Sequence, residues 1–214
     1  IVNEAVADGI LTFNPFWGYE PERPQWKQKY LTAEELELIM TTPLHNARLY
    51  IIRDLFLFSC YTGISYGDMC LLTKEDLVTD ENGTLWIRTS RKKTKVEYEV
   101  PLLEVPLHIL NKYRDVEPNG KLLPMYCNSD VNKYLKTIAA KCGINRRIVF
   151  HSARHTYATE ITLSHGVPLE TVSKMLGHTR VDTTQIYAKV TDDKINADTK
   201  RLDNKISERF TIAI

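Results

Sequence analysis

Apolar and polar positions along this chain follow a helical period almost throughout and switch to strict alternation in one short region. Val2, Ala5, Val6 and Ile10 share helical spacing until Asn14-Pro15 ends the pattern. Thr32 followed by Glu35, with Leu31 ahead of them, is a capping box that predicts a helix from about Ala33, closed near Pro43. From Asn46 to about Tyr61 a second helix carries Leu49, Ile52, Leu55, Phe56 and Phe58, so apolar that it belongs in a core; Thr62-Gly63 ends it. Between 84 and 101 the period changes. Leu85-Trp86-Ile87 and the alternating Val96 to Val100, stopped by Pro101, predict a β-hairpin whose connection, Thr89 to Lys95, is basic and hydroxylated. Helical spacing then returns over about 104–114, 129–142, 152–165, 168–176 and 180–188, and Asp192 to Arg209 reads as a strongly polar last helix. The expected fold is mainly α with one small antiparallel β-sheet (α+β).

Length sets the domain count. At 214 residues and 43% hydrophobic, the chain holds one full domain with a sizeable core, or one domain plus the edge of another. It begins at Ile1 without an initiator methionine, which we read as a piece of a longer protein. Pro15, Pro21, Pro24 and Gly18 mark an extended linker. The expected division is therefore the end of a preceding domain at 1–11, a linker at 12–29, the main domain at 30–190 and a C-terminal helix and tail at 191–214.

A net charge of +1 hides a segregation. Residues 1–40 carry seven acids against three bases, whereas 121–154 carry seven bases against Asp130 alone. Arg88, Arg91, Lys92, Lys93 and Lys95 crowd the hairpin with no acid among residues 85–95. These two basic segments, Arg146 and Arg147 included, are where a phosphate backbone is expected. Cys60, Cys70, Cys127 and Cys142 form no paired motif and read as reduced thiols of a cytoplasmic protein. No apolar run reaches spanning length, and a membrane role is not expected.

The chemistry is concentrated near the C-terminus. His151, Arg154 and His155 form an H-x-x-R-H block, Leu176-Gly177-His178 follows, and Tyr187 comes nine residues after His178. A phosphodiester transesterification needs an attacking oxygen, cationic donors on the non-bridging oxygens and a proton donor for the leaving hydroxyl; this stretch has candidates for each. Tyr187 is the candidate nucleophile, although a phenol of pKa about 10 attacks poorly without adjacent cations or a base. Arg154 and His151 lie one helical turn apart and can face one phosphate, which a guanidinium grips with two donors. His178 can bond another oxygen or assist proton transfer. His155 points about 100° from Arg154 on a helix, which suits a structural role. A zinc site on His151, His155, His165 and His178 is disfavoured, because the H-x-x-R-H spacing puts Arg154 where a helical zinc motif needs its glutamate. Any of Lys92, Lys93 and Lys95 in the turn can protonate a leaving 5′-oxygen.

In this order the motifs resemble the tyrosine recombinase, or phage-type integrase, family. The resemblance rests on Thr62-Gly63 after an apolar helix, a hairpin lysine before Val100-Pro101-Leu102, His151 to Thr156, Leu176 to His178, and Tyr187. It implies the family's catalytic-domain fold and cleavage of double-stranded DNA through a 3′-phosphotyrosyl link on Tyr187. Arg154, His151 and His178 would activate the phosphate, and Lys93 would be the general acid. It also implies that no metal or ATP is needed and that tetramers form on DNA, with the C-terminal segment exchanged between neighbours.

One position departs from the pattern. The family's T-G-x-R supplies a first catalytic arginine, but Thr62-Gly63-Ile64-Ser65 places Ser65 there. Arg91 is the expected substitute, with Arg88 and Arg53 behind it. The run Arg91-Lys92-Lys93-Thr94 is similar to that of conjugative-transposon integrases that also lack the arginine, so the specific expectation is a mobile-element integrase. Two other readings are a catalytically silent DNA-binding relative, suggested by Ser65, and a type IB topoisomerase, which shares the chemistry.

Overall fold

The computed structural model describes residues 1–20, 29–116, 120–188 and 192–207. The linker expected at 12–29 lies partly outside the described residues, as do Arg209 and the tail beyond it. A short helix, α1 (Val2–Ala7), is followed by α2 (Ala33–Thr41) and α3 (Ala47–Thr62). The capping box at α2 forms as read: Thr32 Oγ1 accepts from the Glu35 N–H at 3.3 Å, and Glu35 Oε2 accepts from the Thr32 N–H at 3.0 Å. Asn46 caps α3 by accepting from the Arg48 N–H at 2.8 Å.

Helix α3 is the centre of the molecule because it is apolar all round. Ile52, Leu55, Phe56 and Phe58 are completely buried. Around it pack α2, α5 (Glu104–Tyr113), α6 (Asn128–Lys141) and α7 (Phe150–Thr156). Phe56 meets Phe150 edge to face at 6.1 Å, so the core helix supports the residue immediately before the histidine–arginine block. Asp54, buried in the same helix, accepts hydrogen bonds from the Tyr113 hydroxyl at 2.7 Å and from the Lys112 ammonium.

The expected hairpin forms as β2 (Leu85–Ser90) and β3 (Glu97–Pro101), paired antiparallel with Ile87 opposite Val100. Its alternation buries Ile87, Tyr98 and Val100 and leaves Arg88 and Glu97 exposed. A third strand, β1 (Leu77–Thr79), pairs with the outer side of β2. It has three residues, too few for a period to register. A one-turn helix, α4 (Tyr66–Met69), follows α3 directly and has no periodic signal either.

The helix expected over 152–165 changes character halfway. After α7, residues Tyr157–Leu163 continue with wider π-type turns. Thr156 and Thr162 each donate to the carbonyl four residues back, at 2.9 and 2.8 Å, which competes with a regular ladder. Thr156 Oγ1 also accepts from the Leu31 N–H at 2.9 Å, tying the start of the domain to α7. Helix α8 (Leu169–Met175) packs on β3, α9 (Asp182–Gln185) is shorter than the period suggested, and α10 (Asp192–Ser207) is the polar last helix. No helix of the described residues is long and apolar enough to cross a membrane.

Candidate active site

Arg154 is 2% exposed, and its guanidinium is held by two helix ends. Nη1 donates to the Gly63 carbonyl at 2.8 Å, and Nη2 donates to the Leu176 carbonyl. Gly63 closes α3 and Leu176 closes α8, so unpaired carbonyls and the negative ends of both helix dipoles face the cation. Thr62-Gly63 and Leu176-Gly177 thus supply the two helix ends that hold the arginine. Gly63 and Gly177 have φ of +70° and +63°, which turns each chain at once after its helix. Burial and the neighbouring Arg91 lower the Arg154 pKa to about 10, which still leaves it charged at neutral pH.

His178 and Tyr187 close over this cation. Arg154 Nη2 lies 3.0 Å from His178 Nε2, and His178 Nδ1 lies 2.7 Å from Thr184 Oγ1 on α9. The Tyr187 ring stacks parallel on His178, with centroids 6.4 Å apart and planes 10° apart. Tyr187 is buried, in the turn that ends α9, where its N–H donates to the Thr184 carbonyl at 3.0 Å. Burial raises its phenol pKa, while the charges of Arg154 and Arg91 pull it partly back. His155, which the helix geometry assigned to structure, packs its ring edge-on against Tyr187 at 5.0 Å and against His151 at 4.8 Å. His151 is exposed at the rim and shares a groove of about 450 Å³ with Ser65, Gly67, Asn128, Arg147 and Arg154. Burial is the main cause lowering the pKa of His155 and His178 to about 4, and desolvation by the groove walls, with the Arg154 and Arg91 charges, lowers that of the His151 ring.

Arg91 is drawn into the same cluster although it is distant in sequence. Its charge, like that of Arg154, lowers the pKa of His151, His178 and Tyr187. Nη1 stands 3.1 Å from Asp68 Oδ2 in an ion pair that is 17% exposed on the arginine side and 3% on the aspartate side. Gly177 makes room for its stem: a Cβ there would lie 2.9 Å from Arg91 Cγ.

The other expected cations divide. Lys92, Lys93 and Lys95 are exposed in the hairpin connection, and the Lys93 side chain has no hydrogen bond or ion pair among the described residues. Lys95 takes a positive φ of 58° to close the turn. Arg88 Nε is bound to Glu99 Oε2 across the strands at 3.1 Å. Arg146 is occupied inside the fold, donating from Nε to Glu35 Oε1 at 3.0 Å and from Nη2 to the Tyr30 carbonyl. Arg147, next to it, is exposed on the groove beside His151. Arg53 donates to the Thr42 carbonyl at 3.2 Å and lies over the Tyr50 ring, away from these partners.

Three contributors had escaped the sequence reading: Asp68, Thr184 and Lys29, whose charge is felt at His151 and His155. Ser65 and Asp68 at capping-box spacing were a usable signal for the first. Nothing local marks the other two.

Comparison with known proteins agrees with the motifs. The model of the phage integrase family matches residues 29–194. A tyrosine recombinase XerD of Listeria monocytogenes serotype 4b is 30% identical over 201 residues, 86% of this chain and 66% of that protein. A tyrosine recombinase XerA of Pyrococcus furiosus is 31% identical over 180 residues, 80% of this chain and 60% of that protein. The chain thus spans about three fifths to two thirds of the length of the curated relatives it matches. In fold it is similar to the Tn1549 transposon integrase in complex with a circular intermediate DNA, with TM-score 0.72, 17% identity, and 93% and 74% of the two chains covered. It is also similar to XerA recombinase, with TM-score 0.64, 24% identity, and 90% and 68% covered. Arg154 in its two-helix socket, with His178 and Tyr187 above it, thus sits inside the matched region, and the chain belongs to the phage integrase family.

Proposed function

We propose that this chain is the catalytic part of a site-specific DNA recombinase that breaks and rejoins duplex DNA through a 3′-phosphotyrosyl intermediate. The observation that carries the reading is Tyr187 lying parallel to His178, whose Nε2 is 3.0 Å from the Arg154 guanidinium. In the first step the Tyr187 oxygen bonds to phosphorus as its proton passes to solvent, and the bond to the 5′-oxygen breaks. The leaving oxygen takes a proton from Lys93, which the hairpin connection presents to solvent and so to a bound duplex. Arg154, His151, His178 and Arg91 hold the non-bridging oxygens, where donors fixed in advance act most strongly on the charge that develops. One phosphodiester is exchanged for another, so the step runs in reverse when a second 5′-hydroxyl attacks, without ATP. Arg91 takes the place of the arginine that Ser65 replaces. Arg88, Lys92, Lys95 and Arg147 lie along the path of the DNA backbone.

The similarity in fold to a transposon integrase in complex with a circular intermediate DNA supports integration or excision of a mobile element. Double-stranded DNA is then the partner, and a tetramer on two duplexes, with the C-terminal segment exchanged, is the assembly. We place the protein with DNA in the cytoplasm. The division into a preceding-domain helix, a linker, a catalytic domain and a C-terminal segment remains part of this reading.

The test uses nicked duplexes with randomised flanks, trapped as covalent adducts on denaturing gels and sequenced. The native chain forms an adduct; Tyr187→Phe forms none while binding the selected duplex within about threefold, because one hydroxyl is removed from a packed ring. An adduct that persists in Tyr187→Phe refutes the nucleophile. Binding without any adduct identifies a silent regulator, and relaxation of supercoiled plasmid without strand exchange identifies a topoisomerase.

A further inference from the structure

Asp68 is 3% exposed, and both of its oxygens are engaged. Oδ2 faces Arg91 Nη1 at 3.1 Å and accepts from Ser65 Oγ at 2.7 Å. Oδ1 accepts from the Lys92 N–H at 2.9 Å. One carboxylate therefore faces the Arg91 charge as an ion pair outside hydrogen-bond geometry, and hydrogen-bonds the backbone immediately after it. The hairpin closes the same point from the other side, since the Arg91 N–H donates to the Val96 carbonyl at 2.8 Å.

Such an arrangement answers two physical problems. An arginine beside an exposed loop has side-chain rotamer freedom to lose when it is fixed in one place. Arg91 must also sit near Arg154, and the two like charges repel, which after burial is the next cause lowering the Arg154 pKa. A buried anion against Arg91 offsets that repulsion and confines the guanidinium before any DNA arrives.

We propose that Asp68 is a positioning residue that holds Arg91 at the scissile phosphate, and that Ser65 belongs to the same device. The Ser65 hydroxyl is anchored on Asp68 and fixes the carboxylate, while its small side chain leaves Oδ2 open to Arg91. An arginine at position 65 would start one turn from Asp68 and compete for that oxygen. The loss of the usual arginine and the recruitment of Arg91 are two halves of one arrangement. The inference rests on the reading of Arg91 as a phosphate-binding group.

The experiment measures the rate of adduct formation on the selected nicked duplex by the full chain and by Arg91→Ala, Asp68→Asn, Ser65→Ala and the two double variants with Arg91→Ala. Melting temperature and DNA affinity are followed alongside. Arg91→Ala and Asp68→Asn should each slow cleavage on the order of 10- to 100-fold, and Asp68→Asn should add less than about threefold in the Arg91→Ala background. A purely structural Asp68 would give losses that multiply. If Asp68→Asn does not fold, Ser65→Ala, which keeps the charge, carries the same test: slower alone, neutral when Arg91 is already gone. A native rate in Asp68→Asn, or multiplied losses, overturns the positioning role and leaves the reading of Arg91 standing. A native rate in Arg91→Ala overturns both.

Discussion

His178 meets Arg154 through Nε2, 3.0 Å from Nη2, and meets Thr184 through Nδ1, 2.7 Å from Oγ1. A guanidinium only donates, so Nε2 accepts and the proton of the neutral imidazole resides on Nδ1, pointing to Thr184. Nε2, which must carry a proton to bond a phosphate oxygen, is therefore an acceptor taken by Arg154 in the DNA-free protein. Protonation of Nε2 requires that contact to open.

The pKa values of His178 and His155 are lowered to about 4 from an ordinary 6.5, with burial the first cause in each. Between about pH 6.5 and pH 4 the unfolded chain takes up protons on these rings and the folded chain does not. Acid therefore weakens the fold across that window, and above it the two rings contribute no pH dependence. Imidazole titration by NMR should give midpoints near 4 for both residues and a proton on His178 Nδ1. A midpoint at 6.5 or above for His178 would contradict the contact with Arg154.

Gly63→Ala strikes the fold and the site together. At φ +70° an alanine is strained, and its Cβ would lie 2.4 Å from Tyr157 Cδ1 and 2.8 Å from Leu176 Cδ2. We expect a loss of about 1–3 kcal/mol in urea unfolding. Slower adduct formation should accompany it, because the Gly63 carbonyl is one of the two that hold Arg154. Unchanged stability and rate would show that the helix end has room to adjust.

Arg146 and Arg147 are neighbours with opposite expectations. Arg146 is bound to Glu35 and to the Tyr30 carbonyl, whereas Arg147 lines the groove beside His151. Arg147→Ala should weaken DNA binding and reduce the slope of log affinity against log salt by about one unit. Arg146→Ala should lower the melting temperature and leave that slope unchanged. Affinity measured across a salt series, with a melting curve for each variant, separates them.

Much of the scaffold was legible in the residues. The Thr32–Glu35 box marked the start of α2, the apolar run from Leu49 to Phe58 marked the core helix, and alternation up to Val100 marked the hairpin. Each is a local signal, set by hydrogen bonds within one turn or by which face of one element is apolar. Strand β1 and helix α4 were not legible, being too short to show a period. The π-type turns after Thr156 arise from hydroxyl contacts that helical spacing does not reveal.

The types and order of the candidate reacting groups were already determined by the amino-acid sequence: Arg154 with His151, then His178, then Tyr187, with a basic hairpin upstream and Ser65 where an arginine is usual. Chemistry depends on which functional groups exist, and those are written residue by residue. Only the tertiary structure decided how they meet. It closed Arg154 between the carbonyls of Gly63 and Leu176, the first 91 residues away in the chain. It set His155 against Tyr187, separated Arg147 from Arg146, and brought Asp68 to Arg91. Those pairings follow from how α3, α8 and the hairpin pack on one another, and packing is decided by the shape and burial of the whole core rather than by any local pattern.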